Sequence, residues 1–335
     1  MRNALGIGLA LTALAALPCH GQGANGAVPL AIHGGGAPSP DILSGRSSLG
    51  DSPSVQALHA RAAPTPDAVL AGAPASAWRA LDPDDTLYMT LPRGRVVIQL
   101  APRFAPRYVA NIRKLVRQGF FNGLPIFRVQ DDVAVEWGDP TDRRSVGLAR
   151  RMVAAEFERP SRDLPFTALP DPDTYAPQVG FSDGFPAARD PVFGRAWLVN
   201  CYGMVGAARG NNVDSGGGTA LYTVIGGPER QWDRNTTMVG RVVEGMPLLS
   251  TLPRGNGPLG VYTSRRQWVR IESVQIAADL PPAQRTPLEE LRTDTPTFTQ
   301  YVDALRNRRG SWFKVPAGRV SVCAIPIPVR SKSSQ

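Results

Sequence analysis

Histidine is nearly missing from this chain. Its 335 residues contain three, His20, His33 and His59, all near the N-terminus and none in the part that patterns as folded. That excludes Ser-His-Asp and Cys-His hydrolases and any histidine-based zinc site. An enzyme built here must work with carboxylates, arginine or positioning alone. Lysine is as scarce, at Lys114, Lys314 and Lys332, so the formal charge of +9 is carried by arginine. The arginines are scattered and no stripe alternates them with aromatic residues, which argues against a nucleic-acid partner. Cysteine occurs three times, at Cys19, Cys201 and Cys323. No apolar run is long enough to span a bilayer. The uncharged stretch Ala4 to Leu17, after Arg2, has instead the form of a secretory signal over residues 1–21, with cleavage after Gly21. A periplasmic or secreted protein, monomeric and without an integral membrane segment, is the expectation. There Cys201 and Cys323 are free to pair, but their spacing does not decide whether they meet.

What is present patterns mainly as β-structure. Residues 22–80 are rich in Gly, Ala, Pro and Ser without a sustained apolar period and read as a flexible linker. Leu87 to Leu91 and Val96 to Leu100 are strands around the Pro92-Arg93-Gly94 turn. Pro106 opens a helix that places Val109, Ile112, Leu115 and Val116 on one face and stops at Gly119. Residues 160–195 are rich in Pro, Asp and Gly and read as an insertion loop. Beyond Ala278, Asp294 and Pro296 signal a helix carrying Phe298, Tyr301, Val302 and Leu305. A hairpin-like Trp312 to Ile325 follows, and residues 279–335 read as a packing extension over a sheet edge.

The most informative stretch is Leu124 to Pro140, L-P-I-F-R-V-Q-D-D-V-A-V-E-W-G-D-P. It predicts two strands turning at Asp131-Asp132, with Arg128 the only charge in the first. A guanidinium among apolar neighbours needs partners, and Glu136 on the second strand supplies one across the pair. By itself this reads equally as a structural ion pair or a functional group.

The stretch resembles the cyclophilin signature F-H-R-V-x-x-x-F-M-x-Q-G-G-D-P. Ile126 stands at its first Phe, Phe127 at His, Arg128 at the catalytic Arg, and Gly138-Asp139-Pro140 at the closing G-D-P. Gly203 to Arg209 is similar to the family's G-V-L-S-M-A-N/R, and Met238 to Met246 to V-F-G-x-V-x-E-G-M. The resemblance spans residues 86–277. It implies a closed antiparallel eight-stranded β-barrel with capping helices over residues 81–278, the C-terminal extension aside. It also implies peptidyl-prolyl cis–trans isomerisation with no cofactor or metal, acting on proline-containing segments of unfolded or exported proteins. Arg128 takes the catalytic position. For the substrate groove the resemblance implies Phe127, Val133 (family Phe), Ala134 (Met), Glu136 (Gln), Ala208, Arg209, Thr219 (second Gln), Leu221 (second pocket Phe), Trp232 and Thr236 (rim His). Both large pocket aromatics are thus replaced by aliphatic groups, with Trp232, one position off, available to refill the space. That erosion keeps a second reading open, a non-catalytic peptide-binding module.

Overall fold

The computed structural model describes residues 64–227, 229–308 and 312–332. The expected signal segment and the linker up to residue 63 lie outside the described residues. The rest of the linker is structured. Helix α1 (Pro66–Ala71) is capped by the Thr65 hydroxyl, which accepts from the Ala68 N–H, and strand β1 (Trp78–Ala80) follows. The expectation of a flexible segment to residue 80 fails because Val69, Ala77 and Trp78 are apolar and buried in a core that local composition does not reveal.

Strands β2 (Thr86–Leu91) and β3 (Gly94–Leu100) form the anticipated hairpin, with Leu91 opposite Gly94. Helix α2 (Pro106–Arg117) lacks a side-chain cap of its own. Glu156 supplies one from a distance, its carboxylate accepting the Arg107 and Tyr108 N–H groups at 3.1 and 3.0 Å. Then come β4 (Pro125–Gln130) and β5 (Ala134–Gly138). The region read as an insertion loop holds β6 (Arg159–Pro160), β7 (Thr167–Ala168), β8 (Gln178–Ser182), β9 (Phe185–Asp190) and β10 (Arg195–Leu198). Next are β11 (Met204–Ala207), β12 (Ala220–Val224), β13 (Met238–Glu244) and the short helix α3 (Met246–Ser250). Last come β14 (Val269–Arg270), β15 (Ser273–Ile276), β16 (Leu288–Leu291), helix α4 (Pro296–Arg306) and β17 (Val329–Ser331).

The main sheet is antiparallel in the order β14-β4-β5-β12-β11-β13-β3-β2-β15. Its two outer members are consecutive pieces of one stretch, in which the Ile271 N–H donates to Leu124 O and the Glu272 N–H to Thr90 O. The sheet therefore curls back on itself, and counting 269–276 as one strand gives the expected eight. Its interior is filled by Leu87, Met89, Ile98, Val135, Trp137, Val205, Leu221 and Val239, closed by the apolar face of α2.

Residues 160–198 form a five-stranded sheet, β6-β10-β9-β8-β7, instead of a loop. Its β8–β9 hairpin turns at Asp183-Gly184, both at positive φ (50° and 79°), the conformation a two-residue turn between twisted strands requires. The sheet packs on the outer face of the barrel. Phe181, Phe185, Trp197 and Leu198 share a second core with Ala134, Met204, Tyr222 and Met238 of the barrel and Phe298, Tyr301 and Leu305 of α4. A three-stranded sheet, β1-β16-β17, joins the two ends of the described chain. The expected hairpin at Trp312 to Ile325 is absent; among the described residues this stretch holds one short 3₁₀ turn at Val322–Ala324. It is tied down instead by a disulfide between Cys201 and Cys323, 122 residues apart.

Candidate functional site

The site lies on the outer barrel face, where three adjacent strands bring Arg128, Glu136 and Tyr222 into register. Cross-strand partners project to the same side, so these side chains share one face with Ala134 and Val224. The expected ion pair is present, with Arg128 Nη1 donating to Glu136 Oε2 at 2.9 Å. Arg128 Nε donates to the Leu259 carbonyl at 2.7 Å, and Nη2 donates to Gln130 Oε1. The guanidinium is thus held on three sides while its side chain remains 20% exposed. Among the described residues three of its five N–H groups are engaged, leaving two to meet a ligand.

Beside it stands an aromatic wall. The Tyr222 and Trp232 rings meet edge to face at 5.6 Å. Half-buried Val133 and buried Ala134 pack into the same cluster. The Tyr222 ring lies across Gly206, where a Cβ would come within 2.3 Å of the ring; only glycine fits opposite this tyrosine. The Tyr222 hydroxyl donates to Asn200 Oδ1 at 3.0 Å and shares a 2.8 Å hydrogen bond with the Thr236 hydroxyl. Burial pushes its pKa far above the ordinary phenol value, so it stays a neutral donor. The turn that carries Trp232 is pinned from below. Asn200 N–H and Nδ2 both donate to Asp233 Oδ1, Arg230 Nε donates to Asp233 Oδ2 at 2.7 Å, and Arg230 forks onto Asp173 at 2.8 and 2.9 Å. Burial tends to raise the Asp173 pKa, but the Arg230 hydrogen bonds and the Tyr175 and Ala176 N–H groups hold it below the usual carboxylate value.

Of the residues expected in the groove, Arg128, Glu136, Val133, Ala134, Trp232 and Thr236 belong to this face. Phe127 is half-buried at a bulge in β4, its carbonyl accepting from Tyr262 N–H. Ala208 and Arg209 are half-buried at the end of β11, where Arg209 Nε donates to Asn235 O at 2.8 Å. Leu221 is a correction. It is buried in the barrel interior opposite Trp137, and its neighbour Tyr222 takes the wall position. Thr219 has the parity of Leu221 and stands at the strand end, its carbonyl accepting from Asp139 N–H. A one-residue shift of register turns every side chain to the other face, and counting residues through the glycine-rich loop before β12 introduced that shift. Gln130, Tyr222 and the Leu259 carbonyl went unrecognised. Alternation along β12 would have found Tyr222, whereas nothing local signals Leu259.

Among the described residues, no cluster of His, Cys, Asp and Glu is arranged to hold a metal ion, and no helix is long and apolar enough to cross a membrane.

The outer face of the curled antiparallel barrel thus carries a fixed arginine and, across β5 and β12, an aromatic wall. The family model for cyclophilin type peptidyl-prolyl cis-trans isomerases matches residues 86–276, more than half of the chain. The chain belongs to that family. It is similar to a probable peptidyl-prolyl cis-trans isomerase of Brucella suis, at 28% identity over 177 residues, covering 53% of this chain and 76% of that protein. It is also similar to the human peptidyl-prolyl cis-trans isomerase-like 1, at 28% identity over 155 residues, covering 41% and 87%. Among solved structures, cyclophilin AquaCyp293 from Hirschia baltica superposes with a TM-score of 0.62 at 26% identity, covering 81% of this chain and 99% of that one. That share exceeds the barrel alone, so the likeness extends into its additions.

Proposed function

We propose that this isomerase acts on X-Pro bonds of exported proteins during their folding, with Arg128 aimed at the prolyl nitrogen. Rotation about an X-Pro bond faces a barrier of ~18–20 kcal/mol because the amide is resonance-stabilised. Twisting the amide releases a lone pair on nitrogen that the planar ground state withholds. A donor that meets that lone pair binds the transition state and not the substrate. Arginine carries its donors at any working pH, so a fold without histidine can do this chemistry. The observation that carries the reading is the fixed guanidinium, with two N–H groups uncommitted among the described residues, on the same sheet face as Glu136 and Tyr222. The Cys201–Cys323 disulfide supports an oxidising, exported setting.

The test is NMR exchange or a coupled isomerisation assay on short proline peptides. Wild type should accelerate exchange, and Arg128→Ala should remove most of that acceleration with the fold intact. Equal rates in the two would eliminate the mechanism. One observation favours the second reading, a non-catalytic module that holds proline segments. The wall rings are packed against each other, with Tyr222 buried and Trp232 edge to face on it, which leaves them little room to grip a proline ring between them. Binding of proline peptides without acceleration by wild type would assign that role.

A further inference from the structure

Beyond the Trp232 turn lies an open cleft of about 730 Å³ that the isomerase reading does not use. It is lined by Phe157 and Glu158, by Trp197 of the inserted sheet, and by Arg230, Asp233 and Arg234 of the turn. Each nearby aromatic ring carries an arginine on its face: Arg234 over Trp197 at 5.1 Å, Arg230 over Tyr175 at 5.0 Å and Arg209 over Phe157 at 5.3 Å. These arginines differ in what they have left to offer. Arg230 is buried and committed on Nε and both terminal nitrogens to Asp233 and Asp173. Arg234 is half-exposed and spends only Nε, which donates to Glu158 Oε2 at 2.6 Å. No acceptor among the described residues engages its two terminal nitrogens. Glu158 is itself shared with Arg195 at 2.8 Å, so at this end of the cleft one carboxylate faces two guanidinium groups, whereas Arg230 at the other end is outweighed by Asp173 and Asp233. Arg234 also sits at φ 61°, a left-handed conformation that costs a non-glycine residue energy and that clusters at functional positions.

We propose that this cleft is a second peptide subsite that takes an Asp or Glu side chain of the client, gripped by the terminal nitrogens of Arg234. The planar fork, held by its stack on Trp197 and its Nε bond, is pre-organised for a bidentate carboxylate. The cleft borders the proline face, since Gln231 and Asn235 line it and their chain neighbours Trp232 and Thr236 contact Tyr222. A client chain whose proline lies at Arg128 can therefore extend into it. The proposal rests on the isomerase reading for the proline end of that chain.

The test uses the whole chain and fluorescent peptides with a central Ala-Pro, carrying Glu, Gln or Lys at each neighbouring position on both sides. Dissociation constants come from anisotropy, and isomerisation of the same peptides from NMR exchange. At one of these positions Glu should bind about tenfold tighter than Gln, consistent with a charge-assisted pair. The ratio should shrink as salt rises from about 0.05 to 0.5 M. Arg234→Gln should bring the ratio to near one, and Arg234→Lys should restore part of it. Equal binding of Glu and Gln at every position, a preference for Lys, or a ratio that survives Arg234→Gln would overturn the proposal. Absence of exchange acceleration on every peptide would overturn the isomerase reading alone, since the ratio of dissociation constants is read without it.

Discussion

Replacing Glu136 by Gln tests how the site arginine is tuned. In this chain a carboxylate takes a 2.9 Å hydrogen bond from Arg128 Nη1, both side chains being mostly buried at 20% and 15% exposure. The amide oxygen of Gln can accept the same bond, so the aim of the guanidinium should survive. Leu259 O and Gln130 still hold Nε and Nη2. What changes is charge. The bond stays charge-assisted by the guanidinium, and what is lost is the Coulombic attraction of a partly exposed pair, on the order of 1 kcal/mol. That attraction measures how much of the guanidinium's pull is drawn toward Glu136 in the resting site. Freed for the twisted prolyl nitrogen, it corresponds to roughly a fivefold faster isomerisation. Glu136→Gln should therefore raise kcat/KM on a neutral Ala-Pro peptide by about that factor and lower the melting temperature slightly. NMR exchange gives the rate, and a thermal melt of the same sample gives the stability. A tenfold loss of activity with the fold retained would refute the reasoning, because it would make the carboxylate itself part of catalysis.

Three further outcomes follow from the packing. Cys201→Ser, or reduction of the disulfide, should cost about 5 kcal/mol if a 122-residue loop is released in the unfolded chain, seen as a shift of roughly 10–20 °C in the melt; an unchanged melt would mean the reduced chain is as constrained as the oxidised one. Glu290 is fully buried and accepts from Arg241 Nη2 at 2.6 Å, Arg79 Nη2 at 2.5 Å and Gln99 Nε2 at 3.2 Å. Glu290→Gln strands the Arg241 charge and should cost roughly 3–5 kcal/mol in urea denaturation, while the double change with Arg241→Met should recover most of it; strict additivity would rule that out. Burial tends to raise the Asp139 pKa, yet the Arg144 N–H and the Thr141 hydroxyl and N–H lower it below its ordinary value. The unfolded chain then takes up the proton first, so this contribution is complete above the unfolded Asp pKa of about 3.9 and fades as pH falls below it. Asp85 and Glu229, raised by burial, act with the opposite sign. Asp139→Asn should flatten the acid limb of the melting curve, and an unaltered limb would assign it to other groups.

The barrel was legible because its signals are local. The β2–β3 turn, the amphipathic face of α2 and the motifs around Arg128, Gly203 and Gly240 each sit within a dozen residues, and each fell where expected. The inserted sheet was hidden by its composition, since Ala187, Ala188, Gly180 and Pro186 give β8 and β9 little apolar alternation. The Asp183-Gly184 pair was nonetheless a strong hairpin signal that the loop reading passed over, and the β8–β9 hairpin turns there. The ends of the described chain were hidden for another reason. Val69, Trp78 and Leu291 are buried only because residues distant in sequence meet them, and no window contains both partners.

The same distinction explains the wall. The motif around Arg128 fixes Arg128 and Glu136 by short-range spacing, and both landed together. The far wall depends on counting through Asn211 to Gly218, a glycine-rich loop in which the resemblance offers no residue to anchor the count. One residue of slack there exchanged Tyr222 for Leu221. The count could have been corrected by chemistry alone: a barrel interior takes Leu221 readily, but a buried phenol needs a partner. The partner is Asn200, which hangs on Asp233, then Arg230, then Asp173 in the inserted region. The Tyr222–Trp232 wall is thus held by residues outside the quoted family motifs. A site whose inner groups are barrel residues and whose outer wall is anchored from an insertion can change its grip on proline without any change at the arginine.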